Sequence, residues 1–204
     1  MRASLQQGGW PVKAKKIALR ALGLLLLASM AATEGLLLAE GRWKEAVPLH
    51  LCSISAIVCV AAAFDHRQFF LDFLWYLGMP GAALALVFPA PALCRRQMLL
   101  DVSYTLTHAL ILVIPACLIA FGMRPGTGKT ARMLLALLGI AALAGAANRL
   151  LGTNFLFLAA PAAGTPLEWI HALGRAPYLL TLLLLMTLLC AAMDRLAGKI
   201  RMRQ

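Results

Sequence analysis

Charge is what this chain is short of. Charged residues make up 13% of its 204 residues, and the acidic ones are the scarcer, 8 against 19 Lys and Arg. A water-soluble domain of this length needs far more polar surface, so a soluble globular class is excluded. Five cysteines are present, Cys52, Cys59, Cys94, Cys117 and Cys190. None forms a CxxC pair or has the spacing of a zinc site, and no metal is expected. The nucleotide signal is also incomplete. RPGTGKTARM carries Gly128-Lys129-Thr130, but the phosphate-binding loop needs a glycine where Met123 stands and a strand before it. No basic stripe interleaved with aromatics suggests nucleic acid. Neither a repeat nor a low-complexity linker divides the chain. The expected cofactor set is empty, and neither nucleotide nor nucleic acid is an expected partner.

Apolar runs are what is there. The chain is 62% hydrophobic, with mean hydropathy +0.82. A spanning helix takes roughly 20 mostly apolar residues. That ruler finds six, at about 16–39, 46–64, 69–88, 98–121, 130–150 and 177–197. The expectation is an all-α, polytopic integral membrane protein, one transmembrane domain over 1–204. Lys13, Lys15 and Lys16 before IALRALGLLLLASMAA imitate a signal peptide, but the apolar run continues past Glu34 through GLLLAE. That is longer than an h-region of about 7–15 residues, so the segment reads as a retained helix. With both termini cytoplasmic, 13 of the 19 basic residues fall inside and 6 outside. This bias sets the expected orientation, and the basic ends suit anionic headgroups in the bilayer.

Polar side chains within hydrocarbon are costly and are functional candidates by default. In the expected orientation they gather toward the outer side: Thr33 and Glu34 on the first span; His50, Cys52 and Ser53 in PLHLCS at the head of the second; Asp101, Ser103, Tyr104, Thr107 and His108 on the fourth; Asn148 and Asn154 around the end of the fifth. Asp72 is the main exception. Together they suggest a polar cavity open to the outer leaflet. Tyr104 and His108 are four apart and share a helical face. A thiol becomes a nucleophile as thiolate, which an imidazole or a helix N-terminus favours. Pro48 suits a first helical turn, and His108 from another helix could take the proton of Cys52. The bland alternatives are a buried structural histidine, an interfacial His50 on a different helical face from Cys52, loop-capping asparagines and a snorkelling Glu34. Cys59, Cys117 and Cys190, within apolar helices, read as small hydrophobes.

The three stretches VPLHLCSISAI, TLTHALILVIP and NRLLGTNFLFL resemble the YwaF-type (TIGR-class) bacterial integral membrane proteins. That family is similar in turn to the mammalian transmembrane cysteine acyltransferases that make ether-linked phosphatidylethanolamines. The resemblance runs from about residue 45 to 195. It implies a cysteine nucleophile at Cys52, a histidine partner at His108, a phospholipid donor and a lysophospholipid acceptor. The third motif often carries Tyr where this chain has Phe155. The expected function is a phospholipid acyltransferase, transacylase or acyl hydrolase in a bacterial cytoplasmic membrane, working through a cysteine acyl-enzyme at the outer leaflet. His50, Tyr104, Asn148, Asn154 and Glu34 would bind substrate or orient the pair. The alternatives are a small transporter or lipid-binding protein using the same cavity, and an interaction subunit whose polar residues join helices.

The charge bias generates a test of orientation. A variant keeping Cys94 as its sole cysteine is expected to react with a membrane-impermeant thiol reagent in intact cells. Reaction only after permeabilisation would reverse the topology.

Overall fold

The computed structural model describes residues 11–88 and 97–202; Cys94, Arg95 and Arg96 lie outside them. The helices are α1 (Val12–Ala39), α2 (Leu51–Phe64), α3 (Gln68–Phe73), α4 (Met79–Val87), α5 (Gln97–Ala120), α6 (Thr130–Leu151), α7 (Leu167–Ala172) and α8 (Arg175–Met202). A π-helical turn, Leu74–Gly78, joins α3 to α4 as one span. Five helices among the described residues are long and apolar enough to cross a membrane. The exception is α2, whose 14 residues rise about 21 Å against a hydrocarbon thickness near 30 Å. The all-α membrane class stands, while the expected second span, 46–64, starts later. Proline restricts its predecessor to extended backbone and has no N–H to give a helix. Residues 42–50 accordingly turn, and His50, at φ −73° and ψ 148°, is the N-cap. Pro48 therefore precedes α2 instead of sitting in its first turn.

Close approach of α1 and α2 is built from small residues. A Cβ on Gly23 would stand 2.8 Å from the Ala63 Cβ, so only glycine lets the two backbones meet there. α1 meets α5 through hydroxyls. Ser29 Oγ lies 2.8 Å from Thr107 Oγ1, Ser103 Oγ donates to the Ser29 carbonyl at 2.8 Å, and Thr33 Oγ1 hydrogen-bonds Ser103 Oγ. Side chains expected to line a polar cavity are thus used to join two helices. The neighbouring groove between α1 and α5, about 500 Å³, is lined mainly by Ala31, Gly35, Leu99, Val102 and Leu106. It is apolar and open.

The π turn is the hub, with all five of its residues buried. Its cause is legible in Pro80, which cannot donate to the carbonyl of Tyr76 four residues earlier. That carbonyl instead faces the Cys190 thiol of α8 at 3.8 Å. Trp75 Nε1 donates to the Met193 carbonyl at 2.9 Å, fastening the turn to α8. Next to it, two carboxylates hold the α5–α6 loop. Asp72 accepts from the Gly126 amide and from Gln68 Nε2, each at 2.7 Å; Asp194 accepts from the Gly128 amide at 2.7 Å and from the Tyr76 hydroxyl. The stretch that imitates a nucleotide loop is therefore a clamped turn in which the Gly126 and Gly128 amides are already occupied.

The glycine contacts predict opposite signs for one change. Gly23→Ala overpacks the α1–α2 contact and should lower stability by about 1–3 kcal/mol. Gly35→Ala, with nothing within 4 Å of the new Cβ, should gain about 0.5–1 kcal/mol from helix propensity. Thermal unfolding of both variants in one detergent checks this; equal shifts would contradict the close packing.

Candidate functional site at the head of α2

The head of α2 is uncapped. The first amides of a helix have no partner within it, and the N-cap His50 makes no side-chain hydrogen bond to them. Cys52 is the second residue of the helix. Its half-buried sulfur lies beside Ser53 and within electrostatic reach of Glu34. Cys52 therefore stands near the positive end of the helix dipole. His50 does not share a helix with Cys52, as expected from sequence, but closes its end. The imidazole packs on Phe155 (5.2 Å between centroids, 72°) and Phe157 (5.8 Å). Burial there lowers the His50 pKa against the opposing pull of Glu45, which keeps the ring uncharged beside the aromatics.

His108 is 3% exposed on α5. Its Nδ1 donates to the Tyr104 carbonyl one turn earlier, at 2.7 Å. A carbonyl only accepts, so the proton of the neutral ring is on Nδ1 and Nε2 presents a lone pair. That Nε2 has no hydrogen-bond partner among the described residues, so Cys52 is not bonded to it in this state. Tyr104 orients the histidine with its ring as well as its carbonyl: the two rings stack at 4.1 Å, and the phenol donates to the Ala85 carbonyl of α4 at 2.9 Å.

Asn148 and Asn154 build the loop after α6, as the bland reading has it. Asn148 Oδ1 accepts from the Phe155 amide (2.7 Å) and the Thr153 hydroxyl (2.9 Å), and its Nδ2 donates to the Phe155 carbonyl (3.1 Å). Asn154 similarly holds Ala159 and Ala160. Just after Asn154, Leu156 and Phe157 take φ of 56° and 55°, a left-handed conformation that costs a side-chain-bearing residue roughly 1–2 kcal/mol. The Tyr178 hydroxyl fixes the turn by donating to the Phe157 carbonyl at 2.6 Å. The strained loop delivers two phenylalanines onto His50, so the asparagines act on the head of α2 at one remove.

Four buried side-chain atoms lack a hydrogen-bond partner among the described residues: Glu34 Oε2, Glu40 Oε1, Ser55 Oγ and His108 Nε2. Glu34 is within electrostatic reach of Cys52, Ser55 is one helical turn from it, and His108 is on a helix packed against α2. Sequence reasoning missed Ser55 and Phe157, and marked Phe155 only as a departure from a motif. The three-residue spacing from Cys52 was the available signal for Ser55. No group of three or more metal-ligating side chains occurs among the described residues.

Long apolar helices, hydroxyl contacts between helices and a half-buried polar site define a multi-pass helical membrane protein. The chain belongs to the TMEM164 family, whose model matches residues 7–194. Comparison with curated proteins and with solved structures returns no match.

The loop geometry predicts the effect of Asn148→Ala. Three hydrogen bonds at a net of about 1 kcal/mol each should cost about 2–3 kcal/mol. Hydrogen exchange should rise first in residues 153–160. Unchanged exchange there would mean that the asparagine does not hold the loop.

Proposed function

We propose that this protein is a phospholipid acyltransferase, or acyl hydrolase, in a bacterial cytoplasmic membrane. Cys52 carries the acyl group as a thioester, and His108 serves as base and then acid. The supporting observation is an uncapped helix head at Cys52 and, on α5 packed against α2, a buried His108 Nε2 with no partner among the described residues and its tautomer set by the Tyr104 carbonyl. A general base needs an open lone pair, and hydrogen bonds to it often form only when substrate is bound. In the first half-reaction the thiol proton passes to Nε2, sulfur attacks the ester carbonyl of a diacyl phospholipid, and the C–O bond breaks. The proton leaves on the lysophospholipid hydroxyl. In the second, a lysophospholipid hydroxyl or water gives its proton to Nε2, attacks the thioester and releases the thiol. Counted on six crossings, the charge bias supports an outer-leaflet site. A transport reading would want free polar groups continuing to the other end of the bundle, where Asp72 and Asp194 are instead engaged with the loop.

Acyl transfer from a labelled phospholipid by purified protein in nanodiscs tests this. Cys52→Ser and His108→Ala should each lose most turnover, and the double variant should lose little more, because the pair acts as a unit. Cys59→Ala, Cys117→Ala and Cys190→Ala should keep it, and His50→Ala should be milder than either. Full activity in Cys52→Ser would favour the transport or lipid-binding reading.

A further inference from the structure

Ser55 is the one buried hydroxyl with no partner among the described residues. It is 1% exposed. A serine within a helix ordinarily bonds back to a carbonyl one turn earlier; this one does not. Its Oγ faces the π turn, where a Cβ on Gly78 would come within 3.3 Å of it. Glycine at 78 lets the hydroxyl pack closely on the turn. The residue's level in the bundle follows from two contacts. Gly78 is beside Ser55, and Ala85, about 10 Å higher on the same span, receives the Tyr104 phenol, itself about 6 Å above His108. Ser55 and His108 thus fall in one layer to within about one turn. One is an unused donor and the other an unused acceptor, each buried where an unmet hydrogen bond is costly.

We propose that Ser55 stabilises the oxyanion of the acyl transfer, donating its O–H to the carbonyl oxygen of the group being attacked at Cys52. This rests on Cys52 carrying the acyl group. The spacing suits the role. Residues three apart on a helix have Cβ atoms roughly 5–6 Å apart, the span of one acyl C–O unit on Sγ plus a hydrogen bond of about 2.8 Å. When a nucleophile adds to the ester or thioester carbon, the C=O π pair moves onto oxygen. That oxygen then accepts from the Ser55 hydroxyl and from the amides at the head of α2. When the tetrahedral carbon collapses, the pair returns and the alkoxide or thiolate leaves with the proton held on His108. No proton is transferred from Ser55. A hydroxyl kept unpaired at rest for the charged intermediate is preorganised, whereas one that served packing would be bonded already.

The test is Ser55→Ala beside Cys52→Ala, with kcat, KM and Tm measured in nanodiscs on a diacyl phospholipid. Cys52→Ala should abolish turnover. Ser55→Ala should lower kcat about 10²–10³-fold with little change in KM, while Tm rises by a few degrees because an unmet buried hydroxyl has been removed. Wild-type kcat in Ser55→Ala, with Cys52→Ala inactive, would overturn the role of Ser55 and leave the nucleophile in place. A fall in both kcat and Tm, or failure to fold, would make Ser55 structural and also overturn it. Turnover persisting in Cys52→Ala would remove the acyl-enzyme itself and the Ser55 role with it.

Discussion

Hydrocarbon offers no hydrogen bonds, and this constraint organises the molecule. Every backbone and side-chain polar group at membrane depth has to be met from within the chain. Helices meet the backbone requirement. Where Pro80 breaks the ladder, the span relaxes into a π turn and the freed Tyr76 carbonyl faces a thiol from α8. The side chains follow the same rule. Ser29, Thr33, Ser103 and Thr107 satisfy one another across α1 and α5. Asp72 and Asp194 take their donors from the amides of a loop.

Against that background the exceptions are informative. Buried polar atoms are nearly always paired; of the four unpaired among the described residues, Ser55 shares α2 with Cys52, His108 is on α5 packed against α2, and Glu34 is within electrostatic reach of Cys52. His108 is the clearest case, since the bond that fixes one ring nitrogen leaves the other open. Around the same point the chain also tolerates strain. Two consecutive left-handed residues, held by Asn148, Asn154 and Tyr178, bring Phe155 and Phe157 over His50. The helix head at Cys52 is therefore roofed by aromatic rings and left uncapped. On the proposed reading, this is where a polar group of a lipid would be taken up and shielded from water.

Much of the fold was legible in residue order, because long apolar runs have few alternatives. The runs that became α1, α5, α6 and α8 differ from expectation by a few residues at their ends. The second run misled, since Val47, Pro48 and Leu49 are apolar yet cannot continue a helix backwards through a proline. Its consequence was a wrong setting for His50, which is a cap and not a helical residue. Cys52, His108 and Tyr104 could be singled out because ionisable or polar groups stand out in apolar sequence. Asn148 and Asn154 could be singled out too, but only the loop's hydrogen bonds reveal that they shape backbone. Ser55 offered only its three-residue spacing from Cys52, because a lone serine in an apolar helix normally bonds to its own backbone, and only its neighbours show that this one does not.

The claim on which the account turns is a covalent one: an acyl group resides on Cys52. The direct measurement is peptide-resolved mass spectrometry of the purified protein after brief incubation with a diacyl phospholipid of known chains. The expected result is a mass increase equal to one of those acyl groups on the peptide containing Cys52, removed by neutral hydroxylamine as a thioester is. The adduct should accumulate when no acceptor lipid is supplied. An unmodified Cys52 alongside measurable turnover, or an adduct on Cys59, Cys117 or Cys190 instead, would contradict it.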